Sequence, residues 1–242
     1  VGDLLIFTTD SYEEPVVTAL NKKTGDIVWR TTRSHKVKNH FSFGTPLVIE
    51  NGGRTEVVSA GSGMIGGYDP ETGKELWRVT YPMGFSISNR PVYEDGLLYF
   101  STGFQRPMFF AVRMDGALGD ITESHVVWEY RKSMPKTPSP NYVNGSVITL
   151  EDDGRLQSFD AKTGEHQWLE NLKGKFAASP VQIGDVLYLI NEEGRCYILQ
   201  VNDQACKILN EIDMGEQALA SPAIVDNTIY LRTQPHLWKI AN

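Results

Sequence analysis

The side chains that most often perform catalysis show no catalytic spacing in this 242-residue sequence. Five histidines occur, none of them in the close pairs typical of a zinc site; they are His35, His40, His125, His166 and His236. No Gly-x-Ser-x-Gly nucleophile elbow and no glycine-rich phosphate loop is present. Paired catalytic carboxylates cannot be identified either. The pattern favours a protein without a catalytic centre.

Two acidic loops, Glu151-Asp152-Asp153-Gly154 and Asn191-Glu192-Glu193-Gly194, contain the oxygen atoms that calcium prefers. Calcium takes six to eight oxygens at defined spacing, and neither loop has the alternating Asp/Asn pattern that supplies them. Both loops fall where one predicted strand turns into the next. We therefore expect solvated turns and no metal site.

The two cysteines, Cys196 and Cys206, lie ten positions apart and allow one disulfide bond. When the predicted hairpin around them is aligned on the preceding one, Cys196 lies opposite Ile208 and Cys206 opposite Ile198. The two thiols then share a face on a diagonal, where the separation is usually too long for a bridge. This register favours free thiols but leaves the bridge open.

A sequence repeat predicts the strands that would position any functional site. Five prolines, each followed by a short apolar run, occur at intervals of 45, 49, 40 and 42 residues; they are Pro46, Pro91, Pro140, Pro180 and Pro222. Thr or Ser precedes four of them. The segments after Pro91, Pro180 and Pro222 each predict a strand, a tight Asp/Gly/Asn turn and a second strand.

A second signal runs in phase with the prolines. In segments 19–29, 67–77 and 158–168, Asp or Asn comes four residues before Gly and eight before Trp. This spacing predicts a hairpin in which Asp or Asn binds turn amides and Gly adopts a positive φ. The Trp on the outgoing strand can wedge between neighbouring sheets while its ring N–H finds a partner.

Four strands in each period of about 40–49 residues, with no predicted helix between them, indicate an all-β fold of the β-propeller class. The sequence predicts 22 strands in six four-stranded blades within a single domain, 1–242. The first blade lacks its innermost strand and the last its outermost. The predicted blades span residues 1–34, 35–82, 83–132, 133–173, 174–214 and 215–242. We also expect a lengthened hairpin loop between Asp115 and His125, and we expect Trp238 on a third strand.

These motifs resemble the pyrroloquinoline-quinone-like propeller repeat, whose signature is Ala-x-Asp-x-x-x-Gly-x-x-x-Trp. Segment 19–29 is its nearest copy, and segments 45–49, 68–77 and 136–140 are similar to exported bacterial propellers of this type, including the outer-membrane assembly lipoprotein. Members usually have eight blades, so the resemblance implies about two more blades before Val1. It also implies a periplasmic or otherwise extracytoplasmic location, with the export signal upstream.

The same resemblance raises the question of a quinone cofactor. Quinoprotein dehydrogenases of this fold use a catalytic Asp, calcium, a stacking Trp and often a vicinal disulfide. Cys196 and Cys206 are not vicinal, and we assign Trp29, Trp77 and Trp168 to blade packing. No cofactor is therefore expected, and a domain that uses pyrroloquinoline quinone with calcium is the alternative.

Charge and hydropathy argue against nucleic-acid binding and against a membrane-spanning helix. The formal net charge is −7 and no Lys/Arg-rich run occurs, so the chain lacks the basic stripe that nucleic-acid binding needs. No stretch approaches the ~18 consecutive apolar residues of a membrane-spanning helix.

A binding site is expected where interblade loops reach the mouth of the propeller channel. The residues just before each proline would form a polar, partly cationic mouth; they are His40, Asn89, Arg90, Lys136 and Lys175. The apolar loops 81–85 and 106–110 are candidates for a partner surface.

We therefore predict a non-catalytic extracytoplasmic binding or assembly scaffold that engages a protein or a small ligand through a propeller face. The alternatives are a quinone-dependent oxidoreductase domain and the sensor domain of a larger receptor.

Overall fold

The computed structural model of the chain describes residues 1–35, 37–39 and 41–241. The strands form six sheets, and the chain divides into two compact units, Val1–Lys136 and Thr137–Asn242. Each unit contains three sheets of antiparallel neighbours, and one sheet of the first unit has an additional short parallel strand at its edge.

The first unit begins with a three-stranded sheet of β1 (Leu4–Thr8), β2 (Val16–Asn21) and β3 (Ile27–Thr32). The second sheet contains β4 (Leu47–Asn51), β5 (Arg54–Gly61), β6 (Met64–Tyr68) and β7 (Glu75–Thr80). The third begins with β8 (Val92–Glu94), β9 (Leu97–Ser101) and β10 (Phe109–Arg113). The short strand β11 (Gly119–Asp120) and helix α1 (Thr122–His125) then precede its fourth strand, β12 (Val126–Tyr130).

The second unit begins with a sheet of β13 (Asn141–Val143), β14 (Ser146–Leu150), β15 (Arg155–Asp160) and β16 (His166–Asn171). The next sheet contains β17 (Val181–Ile183), β18 (Val186–Ile190), β19 (Arg195–Val201) and β20 (Cys206–Asp213). The last has three strands, β21 (Ala223–Val225), β22 (Thr228–Arg232) and β23 (Leu237–Ile240). The predicted series of six blades, two of them three-stranded, is confirmed, and Trp238 lies on a third strand.

The lengthened hairpin of the third sheet contains more structure than the loop expected from sequence. Its strand β11 pairs in parallel with β7 of the second sheet, with Gly119 opposite Trp77. Ala117 and Ile121 are buried, and the Ile121 amide donates to the Arg78 carbonyl at 2.9 Å. The insertion therefore folds because it buries apolar side chains against the neighbouring sheet.

The Asp-x-x-Thr-Gly turns form as the sequence predicts. Asp69 Oδ1 accepts hydrogen bonds from the Glu71 and Thr72 amides at 3.0 and 2.8 Å, and Asp160 accepts the equivalent pair. Main-chain hydrogen bonds from Thr72 and Thr163 lower the pKa of Asp69 and of Asp160. The glycines of these two turns, Gly73 and Gly164, have φ of 72° and 73°.

Tryptophan side chains connect neighbouring sheets, as predicted. Trp29 Nε1 donates to the Pro70 carbonyl at 2.9 Å, in the hairpin turn of the next sheet. In the second unit, Trp168 Nε1 donates to the Asn202 carbonyl of the next sheet at 2.8 Å. Each ring thus packs against one sheet and bonds to the turn of the following one.

Trp77 departs from this pattern. Its Nε1 donates to the fully buried carboxylate of Glu56 in its own sheet, which also binds Arg54 Nε at 2.9 Å. Asn51 Nδ2 donates to the Met114 carbonyl at 2.9 Å, in the turn where a Trp77 bond would be expected. At this junction the hydrogen bond to the next sheet therefore comes from Asn51 and not from Trp77.

The serine that precedes proline in the repeat has a structural purpose in the second unit. The Ser139 amide donates to Ser179 Oγ at 2.9 Å, and the Ser179 amide donates to Ser221 Oγ at the same distance. These three residues start three successive sheets. Their hydroxyls therefore join the sheets at their innermost strands.

A fully buried ion pair joins the loop after β1 to the loop after β3. Arg33 Nε donates to Asp10 Oδ1 at 2.9 Å, and the exposed fractions of the two side chains are 1% and 0%. Arg33 also donates to the Ser59 hydroxyl and to the Ala60 carbonyl, and Ser42 Oγ donates to Asp10. Because every charged atom has a partner, the pair can be buried without an unsatisfied charge.

The predicted cysteine register is wrong. Cys196 pairs with Ile212 and Cys206 with Val201, so neither lies opposite Ile208 or Ile198. The turn of residues 202–205 causes the difference, because Asn202 Oδ1 accepts the Gln204 and Ala205 amides and closes the hairpin there. Both thiols are free.

Two glycine substitutions separate the packing role of Trp29 from ordinary turn strain. Gly25→Ala and Gly73→Ala each place a side chain at positive φ, but a Cβ at Gly25 meets nothing within 4 Å, whereas one at Gly73 comes within 2.5 Å of the Trp29 ring. We expect Gly73→Ala to lower the free energy of unfolding by about 1–3 kcal/mol more than Gly25→Ala. Urea denaturation measures both, and equal losses would contradict the packing role.

Removing one partner of the buried ion pair should be costly. Arg33→Met leaves the Asp10 charge buried, so we expect a loss of about 3–5 kcal/mol in the free energy of unfolding. The control, Lys22→Met, removes an exposed pair with Asp3 and should cost at most about 1 kcal/mol. Combining Arg33→Met with Asp10→Leu should recover part of the loss, and a double variant no more stable than the single one would contradict this account.

The thiols should react slowly in the folded protein. Burial raises the pKa of Cys196 and of Cys206 to about 11. At pH 8 this lowers the thiolate fraction by on the order of a hundredfold relative to an exposed cysteine. An aromatic disulfide reagent should titrate two thiols quickly only after unfolding in guanidinium chloride. Finding no titratable thiol in the unreduced, unfolded chain would contradict the free state.

Candidate functional site

Of the five predicted site residues, three are exposed, one is buried and one lies outside the described residues. Asn89, Arg90 and Lys136 belong to the first unit, and Lys175 belongs to the second. Arg90, Lys136 and Lys175 are exposed. His40 lies outside the described residues. Ligand binding by any of them stays a prediction.

Asn89 is buried and connects two loops. Its Nδ2 donates to the Lys136 carbonyl at 3.3 Å, and its buried Oδ1 has no hydrogen-bond partner among the described residues. The link holds the loop after β7 against the loop after β12. Asn89 therefore supports the surface from below, and Lys136 is the residue of the pair that reaches solvent.

A row of five aromatic side chains crosses the surface of the first unit beside Lys136. This aromatic row consists of Tyr12, Phe41, Phe43, Phe85 and Phe104. Ring centroids are 5.1 Å apart from Tyr12 to Phe41, 5.2 Å from Phe41 to Phe85 and 5.6 Å from Phe85 to Phe104. Phe43 flanks Phe41 at 6.1 Å, and Lys136 Nζ lies 5.5 Å from the Phe104 ring centroid, within cation–π range.

The row is open to solvent. Tyr12 and Phe43 are each 67% exposed, and Phe104 is 49% exposed. Large apolar side chains in contact with one another at a surface are typical of a binding site, whereas isolated ones are not. The row is therefore the strongest candidate for a functional surface in the first unit.

Strand alternation explains why the row forms at one end of the sheets. Tyr12 lies in the loop after β1 and Phe104 in the loop after β9, which are second-position strands of their blades. Phe41, Phe43 and Phe85 lie in the loops after β3 and β7, which are fourth-position strands. Antiparallel neighbours reverse direction, so loops after second and fourth strands meet at the same end.

Main-chain hydrogen bonds hold Phe41 and Phe43 in place. The Phe41 carbonyl accepts the Ser62 hydroxyl and the Ser86 amide, both at 2.8 Å. The Phe43 amide donates to the Ile87 carbonyl at 2.6 Å. The loop after β3 is thus tied to the loop after β7 on both sides of Ser42.

Phe85 and Phe104 are joined by an antiparallel bridge between two loops. The Phe104 amide donates to the Phe85 carbonyl at 2.8 Å, and the Phe85 amide donates back at 3.4 Å. The loops approach so closely that a Cβ at Gly84 would lie 2.3 Å from the Thr102 carbonyl oxygen, and one at Gly103 would lie 2.9 Å from the Phe85 carbonyl oxygen. Glycine at these two positions is what permits the rings to meet.

The loops around the row are cationic. Segments 33–46, 81–91, 102–108 and 131–137 contain no Asp or Glu, although acidic residues outnumber basic ones by 30 to 23 in the whole chain. Among their described residues, the exposed cations are Lys38, Arg90, Arg106, Arg131, Lys132 and Lys136. The acidic end of the row is at Tyr12, where Glu13 and Glu14 follow. Glu14 already binds the Thr32 hydroxyl at 2.5 Å.

Two depressions adjoin the candidate residues. One of about 210 Å³ lies beside the row and is lined by Lys38, Met83, Phe85 and Gln105, among others. The other, of about 510 Å³, lies in the second unit and is lined by Glu192, Gln217, Leu219, Arg232, Thr233 and Gln234, among others. The Glu192 amide donates to the Lys175 carbonyl at 2.7 Å, which places the predicted residue Lys175 next to this second depression.

The acidic loops are built differently from the solvated turns expected. Glu151 is buried and accepts from Gln157 Nε2 at 2.7 Å, and Asn191 is buried and accepts the Arg195 amide at 2.7 Å. Each first residue therefore closes its own turn. In residues 1–35, 37–39 and 41–241, no three His, Cys, Asp or Glu side chains cluster so as to hold a metal ion.

Two of the candidates predicted from the sequence lie at the aromatic row, and their role in binding stays a prediction. Lys136 and the apolar loop containing Phe85 were predicted, whereas Tyr12, Phe43 and Phe104 were not selected. A usable signal was the position of Phe41, Phe43, Phe85 and Phe104 within glycine-containing loops, where a blade core residue would not be expected.

The part of the chain that the structure describes contains no helix with the length and hydropathy of a membrane span.

Solved structures with similar folds are β-propellers. BamB from Moraxella catarrhalis is 19% identical, with a TM-score of 0.72 over 98% of this chain and 69% of that one. Quinohemoprotein alcohol dehydrogenase from Comamonas testosteroni is 11% identical, with a TM-score of 0.64 over 98% of this chain and 51% of that one. The Swd1 propeller domain of Myceliophteria thermophila is 14% identical, with a TM-score of 0.57 over 99% and 82%.

At these identities the structural similarities establish the fold, which is the predicted β-propeller. No curated protein sequence matches the chain significantly. The family model for the outer membrane protein assembly factor BamB matches residues 2–208, which is most of the chain. The repeated hairpins, their docking tryptophans and this match agree, and the chain belongs to the BamB family of outer membrane protein assembly factors.

Proposed function

We propose that this chain is a non-catalytic scaffold that acts outside the cytoplasm in the assembly of outer-membrane proteins, and that it engages a protein partner through the aromatic row. The observation that carries the proposal is the row itself: five touching aromatic rings, three of them about half or more exposed, on loops joined by main-chain hydrogen bonds. Family membership supports the pathway and the location.

The row has the properties of a protein-binding surface. Aromatic side chains contribute large apolar areas at low entropic cost and are enriched among the residues that dominate binding energy. The loops are fixed by the Phe85–Phe104 bridge and by the bonds to Phe41, so little freedom is lost on binding. No bond needs to be made or broken for this role.

The proposal does not include a quinone cofactor. A stacking platform needs a tryptophan face turned to the ligand, but Trp29, Trp77 and Trp168 direct their ring N–H groups into structural hydrogen bonds at sheet junctions. Cys196 and Cys206 lie on opposite strands of one hairpin and are ten positions apart. These residues do not fit the known quinoprotein arrangement.

Complementation tests the proposal. In the organism that encodes this chain, deletion of the gene should lower the amount of folded outer-membrane β-barrel proteins several-fold, and the full-length wild-type gene should restore it. The double variant Phe43→Ser/Phe104→Ser should fail to restore it because the two exposed rings are lost. Heat-modifiable mobility of the barrels on gels measures the folded fraction.

A matched control is available on other surfaces of the same unit. The exposed fractions of Leu118 and Val127, 63% and 43%, are similar to those of Phe43 and Phe104. Leu118 and Val127 lie elsewhere in the unit, in the hairpin after β10 and on β12. Leu118→Ser/Val127→Ser should complement fully. A deletion strain with normal barrel levels would refute the assembly role, and full complementation by Phe43→Ser/Phe104→Ser would refute the use of the row.

A further inference from the structure

We propose that the aromatic row binds an acidic peptide segment that carries aromatic or other large apolar side chains in an extended conformation. This inference rests on the proposed function, because it names the chemistry of the partner that the row would take. It follows from the shape of the row, from its charge and from the orientation of its rings.

The spacing of the rings suits an extended segment. Successive steps along the row from Tyr12 to Phe104 measure 5.1–5.6 Å. Alternate side chains on one face of an extended strand lie about 6.6 Å apart. A segment of about eight residues presents four side chains on one face, which is enough for the path of four rings from Tyr12 to Phe104 and the depression beside Phe85 and Met83.

The charge around the row selects an acidic partner. Arg106 and Lys136 are exposed at the Phe104 end, and the loops that carry Phe41, Phe43, Phe85 and Phe104 contain no acidic residue. Glu13 and Glu14 follow Tyr12 at the other end, so the attraction acts on the part of the row from Phe41 to Phe104. The chain as a whole has a formal net charge of −7. An acidic segment is repelled by most of the protein and attracted here, so electrostatics guide it to the row.

The orientation of the rings disfavours a single-stranded nucleic acid, the other class of ligand that aromatic and basic side chains bind together. Interplanar angles are 61° from Tyr12 to Phe41, 73° from Phe41 to Phe85 and 61° from Phe85 to Phe104. These edge-to-face contacts leave no series of parallel faces for successive bases. Side chains of a peptide can fill the angled gaps between the rings instead.

Binding of designed peptides to the purified full-length protein tests the inference. Three eight-residue fluorescent peptides are compared by anisotropy at low salt: alternating Glu/Asp with Phe/Tyr, alternating Lys/Arg with Phe/Tyr, and alternating Glu/Asp with Ser. We expect the acidic aromatic peptide to bind at least about tenfold more tightly than either of the others, and to weaken several-fold as salt is raised.

Variants locate the binding on the row. Phe43→Ser/Phe104→Ser and Arg106→Glu/Lys136→Glu should each weaken binding of the acidic aromatic peptide by about tenfold or more. The matched controls, Leu118→Ser/Val127→Ser and Lys23→Glu/Lys74→Glu, change exposed side chains of the first unit that lie outside the loops of the row, and they should leave binding unchanged.

Four outcomes would overturn the inference: equal or tighter binding of the basic peptide, tighter binding of an oligothymidylate of similar length, no binding of the acidic aromatic peptide, or self-association of the protein through the row in sedimentation experiments. None of these would by itself alter the complementation result. Failure of the peptide test with normal behaviour in cells therefore rejects the partner chemistry, whereas failure of complementation rejects the assembly role.

Discussion

The constraint on which this structure depends is that a four-stranded sheet with two apolar faces cannot bury both by itself. Two hairpins therefore carry a tryptophan that reaches the next sheet, Trp29 at Pro70 and Trp168 at Asn202. Trp77 is fully buried and turns its N–H to Glu56, so that junction is closed by a charged group and Asn51 instead. Packing between sheets buries most apolar side chains, so an exposed row of aromatic side chains in the loops indicates a binding surface.

The same packing determines what the loops can present. Because strands alternate in direction, two kinds of loop from three sheets converge at one end of the first unit. The buried Arg33–Asp10 pair holds the first two of these loops, and Ser42 joins it between Phe41 and Phe43. The buried Arg33 cannot touch a binding partner, but it positions the loops that carry Tyr12, Phe41 and Phe43. In the proposed function, substitutions at Arg33 would therefore disturb the row as well as the stability of the first unit.

Much of the fold could be predicted because its signals are local. The Asp-x-x-Thr-Gly-x-x-x-Trp spacing contains the turn, its cap and the packing residue within one hairpin, and the proline intervals give the strand count. The cysteine register could not be predicted, because it depends on a turn closed by Asn202 where the usual glycine is absent. Nor could β11, which forms only because Ile121 and Ala117 are buried against a neighbouring sheet. The row needs four loops up to 92 positions apart in sequence, and no pattern within one repeat indicates that their rings meet.

The most direct test of the aromatic row as a partner surface is site-specific photo-crosslinking in living cells. A photoreactive phenylalanine analogue replaces Phe43 in the full-length protein, or Leu118 as the control, and the crosslinked segment is sequenced by mass spectrometry. The account predicts that position 43 captures one defined segment, rich in Asp or Glu and in apolar side chains, from a protein of outer-membrane assembly, and that position 118 does not. The same products from both positions, or a basic segment at position 43, would contradict it.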